Sequence, residues 1–414
     1  MTRRIFAIAA VLAVATAATA FAQASVAGTV QTRFNMFYGN LSDDDADLTM
    51  GGMVNTAWFQ LSGTNADGTL GGLWRLRNQD IVRENPWFHR AFVWWRPVEQ
   101  VRIWLGIDDD GMFDTDHFVG WGFHQGENAD MFNHHWDFWR RIFPGNFASF
   151  GLALSFTNFG VDGLAVNFIL PTGAQNWPGA TDSQTRRAPS VQEMLAGFRL
   201  LATYALPGLG LLQFQYNAPG GITNFEWHTG INQYLTEWGD ATNFGQLGLS
   251  FLLNGLDFGN LLIGGAMVIP DSDNDMDLHL GLGLELPNLA DLMTLRFRVG
   301  AQVLSRFAAD NADNPTFAAG DGVLTGNVMP VIPLGAGSLM IDLGFTMALP
   351  DGDFDAEHHL GWSVIPAYRI PLPSGQFTIG LQLWSGLRMG GNQSRLTGNN
   401  DVHINVPMLM TFSF

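Results

Sequence analysis

The segment 402–414 alternates. Val402, Ile404, Val406, Met408, Met410, Phe412 and Phe414 fall on one face of an extended chain. His403, Asn405, Thr411 and Ser413 fall on the other, with Pro407 and Leu409 as exceptions. Side chains of a strand repeat every two residues, so this spells one apolar face and one mostly polar face. The same spelling recurs along the chain, and nothing else in the sequence constrains the fold as much. Apolar faces on so many strands exceed what one core can absorb.

Composition narrows the class. A chain of 414 residues could hold two or three ordinary domains. Charged residues are only 14%, against roughly 25% in soluble domains. No run of about 18 apolar residues follows the amino-terminal segment, which excludes helical membrane spans. Short alternating segments with little charge predict an all-β chain, a transmembrane antiparallel up-and-down β-barrel of about 16–18 strands. A sandwich or propeller would also give many short strands, but no period of 20–50 residues recurs, which counts against the propeller.

The first residues read as a targeting segment. Arg3 and Arg4 begin it, a mostly apolar run covers 5–18, and Ala20-Phe21-Ala22 or Ala22-Gln23-Ala24 supplies small residues for cleavage. Residues 1–24 are therefore expected to be a signal peptide cut after Ala22 or Ala24, and 25–414 a single barrel domain. The chain has no cysteine, so disulfides and thiolate metal sites are absent. Its net charge is −18 and every basic residue is Arg. An acidic balance disfavours a nucleic-acid partner and is read first as solubility of the loops.

Strands are expected near 26–38, 53–62, 70–79, 87–96, 101–107, 150–158, 163–170, 193–206, 210–218, 243–254, 259–269, 276–286, 292–304, 324–332, 337–348, 359–371, 376–389 and 402–414. The weakest alternation is at 324–332, so sixteen strands stand as the alternative to eighteen. Connections differ in length: Pro, Gly and Asn mark the short ones, while 171–192, 218–242, 305–323, 349–358 and 390–401 are long and acidic or rich in Gly and Asn. Short turns at one rim with long loops at the other is the construction of outer-membrane barrels.

Arginines sort by face. In 292–304, Met293, Leu295, Phe297, Val299 and Val303 alternate with Thr294, Arg296, Arg298 and Gln302. Nine strand arginines (Arg33, Arg75, Arg77, Arg102, Arg199, Arg296, Arg298, Arg369 and Arg388) fall on the more polar face in this register. Arg90 is ambiguous, sharing its face with Phe88, Phe92 and Trp94. An arginine facing lipid at mid-depth costs about 2–4 kcal/mol, so the sorting implies that the polar face meets water inside a closed ring. Arg369 and Arg388 could instead be solvated at a rim.

The segment from Asp108 to Asn146 has no sustained period of two. It opens on Asp108, Asp109, Asp110, Asp114 and Asp116 and carries Trp and Phe residues that need burial, among them Trp121 and Trp136. A structureless connection of that length is unusual unless it has a task. Folded into the ring, it would bury those rings and set its acids opposite the arginines. With the strand pair at 88–94 and 101–106 before it and the terminal Phe412-Ser413-Phe414, the chain resembles the general diffusion porins of Gram-negative outer membranes. The resemblance implies a pore narrowed by this inward loop after the fifth strand. It places acids from Asp108, Asp109, Asp110, Asp114 and Asp116 against a basic wall of Arg33, Arg75, Arg77, Arg90 and Arg102. Arg296 and Arg298 join that wall by their register. It further implies an outer-membrane lipid environment, small hydrophilic solutes and ions as cargo, a homotrimer and no catalysis.

Eighteen strands would be similar instead to sugar-specific channels, where aromatic side chains form a slide; Trp94, Trp104 and Trp384 are the candidates. Tryptophans at strand ends are more commonly interfacial girdle residues, and that reading is preferred. A non-conducting surface or adhesive barrel is the third reading. Asp271, Asp273, Asp275 and Asp351, Asp353, Asp355 have the oxygen spacing of a calcium loop but lack its bidentate Glu, so solvated acidic loops are expected and Ca2+ is the minor alternative. No cofactor is expected. Ser155 and Ser363 are strand serines with no motif linking them to a histidine, so no enzyme is expected.

Overall fold

The computed structural model describes residues 23–42, 49–78, 87–108, 149–171, 195, 198–218, 243–270, 278–303, 322–349, 360–388, 395–396 and 400–414. Its elements in chain order begin with β1 Gln23–Asn40, β2 Thr49–Thr64, β3 Leu70–Asn78, β4 Trp87–Val98, β5 Val101–Asp108, β6 Ser149–Thr157 and β7 Leu164–Pro171. There follow β8 Arg199–Leu206, β9 Gly210–Asn217, β10 Asn243–Leu256, β11 Gly259–Pro270, β12 Leu278–Leu289, β13 Met293–Val303 and β14 Gly322–Leu334. The last are β15 Gly337–Leu349, β16 Leu360–Leu372, β17 Gly375–Gly380, β18 Gln382–Ser385, β19 Leu387–Arg388, β20 Arg395–Leu396 and β21 Val402–Ser413.

Nineteen of these join one antiparallel sheet. Because β17 and β18 are halves of one strand, the barrel has eighteen. Each strand pairs with its chain neighbour, and β1 pairs with β21, Val30 opposite Phe412 and Phe34 opposite Met408, so the ring closes. Connections of two to six residues alternate with connections of seven (271–277) to forty (109–148). In the short turn after β2, Asn65 Oδ1 accepts from Leu70 N–H at 2.9 Å and Gly68 takes φ +65°, which a side chain would disfavour.

Which face looks inward follows from exposure. Val93, Leu105, Leu249, Ile263, Leu280, Leu343 and Met410 are exposed, between 45% and 56%. Their alternates Ser155, Asn167, Arg199, Gln213, Ser250, Arg298, Asp342 and Ser363 are buried. An exposed apolar face around a buried polar one is the reverse of a soluble core, and it is what a lipid-facing barrel requires. The terminal strand keeps its pattern: Met410 faces out, while Asn405, Pro407 and Leu409 are buried on the inner side.

β14 is a full strand of thirteen residues, so the eighteen expected strands hold and the alternative of sixteen falls. Three expectations change. β8 begins at Arg199 rather than near 193. The strand expected at 376–389 breaks at Leu381, whose N–H donates to Pro366 O at 2.9 Å; proline has no N–H to return the bond. Beyond Gly386 (φ +68°), Arg388 pairs with Arg395 in a small hairpin of β19 with β20, outside the barrel sheet.

Candidate functional site

The inner surface of β2 to β6 carries a run of arginines held by rings. Gln60, Arg75, Arg90 and Asp108 stand opposite one another in register across β2, β3, β4 and β5. Arg75 donates from Nε and Nη2 to Gln60 Oε1 at 2.8 and 2.6 Å, and its guanidinium lies 4.6 Å from the Trp58 ring. Like charges directly opposite destabilise a sheet, and these neutral partners help keep Arg75 beside Arg90. Arg90, 9% exposed, lies 5.7 Å from the Phe92 ring, so its shared aromatic face is the inner face.

Nearer the short turns the pattern tightens. The Arg102 guanidinium is 4.9 Å from both Trp94 and Trp104, and Arg96 is 5.7 Å from Trp94. Trp104 is 4% exposed; its Nε1–H donates to Ser155 Oγ at 2.8 Å. Its ring meets Phe92 edge-on at 5.2 Å. Trp94 lies against Gly71, where a Cβ would come within 2.4 Å of the indole. Phe92, Trp104, Ala153 and Ile169 form a buried inner cluster with Leu73 and Trp94 on it. The girdle reading of Trp94 and Trp104 is thus overturned, because their strands aim them inward. Trp384 also departs from it: 2% exposed, it stacks on His403 at 5.3 Å and 17°.

A second charged group lies on β12 to β15. Arg296 Nε meets Glu285 Oε2 at 2.6 Å, and Asn260 Nδ2 donates to Glu285 Oε1 at 3.3 Å. Arg298 stands opposite Asn327, whose Nδ2 donates to Asp342 Oδ1 at 3.0 Å. Glu285 and Asp342 were missed by sequence reading. The signal was there: Leu278, Leu280, Leu282, Leu284 and Leu286 alternate with His279, Gly281, Gly283 and Glu285.

The structure therefore sets Arg75 beside Arg90 at the level of Asp108, places Arg102 six residues further down β5 towards the short turn, and sets Arg296 and Arg298 apart on β13. Arg33 and Arg77 occupy register positions opposite Leu409 and Trp58, both of which face in. Arg199 is buried on the inner face of β8, and Arg369 Nη2 contacts Met340 Sδ at 3.5 Å. Asp108 ends β5 opposite Arg90. The acids Asp109, Asp110, Asp114 and Asp116 lie outside the described residues, as do Asp271, Asp273, Asp275, Asp351, Asp353 and Asp355.

Comparison with known proteins agrees with the architecture. No known family profile matches the chain, and no curated protein does. Solved structures do. The outer membrane protein opdK from Pseudomonas aeruginosa is 9% identical with a TM-score of 0.52, covering 95% of this chain and 99% of that one. OmpF of Salmonella typhi, solved with daunomycin, is 11% identical with a TM-score of 0.48, covering 94% and 97%. The outer membrane channel DcaP of Acinetobacter baumannii is 9% identical with a TM-score of 0.42, covering 95% and 97%. At these identities the likeness is one of fold. The chain has the porin-like β-barrel fold of Gram-negative outer membranes.

Proposed function

We propose that this chain is an outer-membrane channel through which small hydrophilic solutes and ions diffuse passively. The observation that carries the reading is the sorting of side chains on a closed eighteen-strand ring: Met410, Leu343 and Leu105 face out, while Arg298, Arg199 and Asp342 face in. A solvated interior is the environment in which those buried charges are tolerable. In the same reading the connection 109–148 turns inward and sets its acids against Arg75, Arg90 and Arg102, and ion preference follows from pore width and that field. Export uses a signal peptide within residues 1–24, cut after Ala22 or Ala24. Since Gln23 and Ala24 are already paired with Thr64 and Gly63, cleavage after Ala22 leaves β1 whole. Trimers belong to this proposal too.

The test is the refolded mature chain in a planar bilayer. Stepwise current openings are expected. A correctly folded barrel that never conducts would make it a structural or adhesive surface protein and end the channel reading.

A further inference from the structure

Three inward tryptophans on an eighteen-strand barrel invite the idea of a slide for sugar rings. A slide needs open indole faces, because a sugar's C–H face stacks directly on the ring. Those of Trp94 and Trp104 are already engaged. Gly71 lies under Trp94, and Arg102 sits 4.9 Å from both rings. Arg96 lies 5.7 Å from Trp94, and Phe92 abuts Trp104. The Ser155 hydroxyl fixes the Trp104 indole by its N–H. These rings serve the arginines.

We propose that Trp94 and Trp104 are specificity-determining positioning residues. They hold the Arg102 guanidinium, flanked by Arg96, at a fixed place on the inner wall, so that the channel prefers small anions over cations and over neutral sugars. This rests on the channel reading above and names its solute class. The physical reason is twofold. A guanidinium in water swings on a long, rotamer-rich side chain, and its average field at any point in a pore is diluted by that motion. Contact with an indole face holds the cation through the ring's negative face while adding no counter-charge of its own. Gly71 belongs to the device, since any Cβ there would push the Trp94 ring off the wall.

The experiment compares reversal potentials across a KCl gradient for the refolded chain and its variants, with maltose as the neutral-sugar probe of current block. Trp94→Leu keeps every charge but removes the face. It should lower the anion-over-cation permeability ratio about two- to threefold, the weight of one modest cation–π contact. The shift should run in the same direction as that of Arg102→Gln. Trp94→Phe, which restores a ring face, should recover much of the loss, and maltose should not distinguish any of these from the parent. Ser155→Ala, which frees the Trp104 indole with little change in volume, should give a smaller shift and serves if Trp94→Leu does not refold. An unchanged ion preference in both Trp94→Leu and Ser155→Ala overturns the proposal, as does a maltose block present in the parent and lost in Trp94→Leu. Absence of openings in the parent chain is a different result, and it rejects the channel reading itself.

Discussion

Single residues show where alternation is a sufficient guide and where it fails. Arg298 could be placed from the sequence because Phe297 and Val299 flank it, giving a sharp contrast between faces. Arg90 could not, because β4 has rings on both faces: Phe92 and Trp94 inside, Trp95 outside. A period of two divides the side chains into faces but does not say which is wet. Only the curvature of the closed sheet, read through burial, decides that. Asp342 illustrates the consequence for stability. It is 1% exposed, accepts from Asn327 and attracts Arg298 across that amide. Replacing it with Ala leaves a donor without its acceptor and Arg298 with only the weaker attraction of Glu285. Asp342→Ala should destabilise the folded barrel by about 2–4 kcal/mol, and Asp342→Asn by less, since an amide oxygen can still accept. Urea unfolding in lipid vesicles, followed by tryptophan fluorescence, measures both. Equal stability of the Ala variant and the parent would show that the cluster is solvated rather than packed.

At the scale of elements, most strand positions were legible, but the interruption in β17–β18 was not. Its cause is in a neighbour: Pro366 on β16 faces Leu381 and cannot donate, a relation invisible until the register is known. The seam is likewise a matter of pairing. Asn405 Nδ2 donates to Gln382 Oε1 at 2.8 Å and lies 3.2 Å from Asn35 Oδ1, so one side chain links β18, β21 and β1. On the outer side, Gly28 and Phe414 exchange both backbone hydrogen bonds at 3.0 Å, and the Phe414 ring lies where a Cβ on Gly28 would be, 2.3 Å away. Gly28→Val should therefore displace the ring and loosen the closing pair of strands. The expected readout is a lower temperature for the shift from compact to extended migration in detergent gels, by about 5 °C for each 1–2 kcal/mol lost. An Ala substitution at Gly72, whose Cβ would meet its nearest neighbour at 3.2 Å, should have a smaller effect. If the two substitutions act alike, ring displacement at the seam is not what stabilises closure.

The charge of the whole molecule is not the charge of its inner wall. The chain carries −18, yet its described inner wall is rich in arginine, while Asp67, Glu99, Asp162, Asp257 and Asp291 lie at the short turns. Net charge is thus a poor guide to selectivity, because an ion in the pore feels the wall within a screening length, not the sum over the chain. That length is about 10 Å at 0.1 M salt and about 3 Å at 1 M. Replacing Arg75 and Arg77 together with Gln removes two charges from adjoining register positions beside Gln60 and Trp58. If the wall sets the field, ion preference should move toward cations by about threefold at 0.1 M and by little at 1 M. Acidic loops alone would predict otherwise, since they stay the same in the variant and would leave the reversal potential where it was at both salts. A shift of equal size at low and high salt would point to a change of pore width instead of charge, because steric exclusion is not screened. The salt dependence therefore separates field, loop and width in one series of measurements.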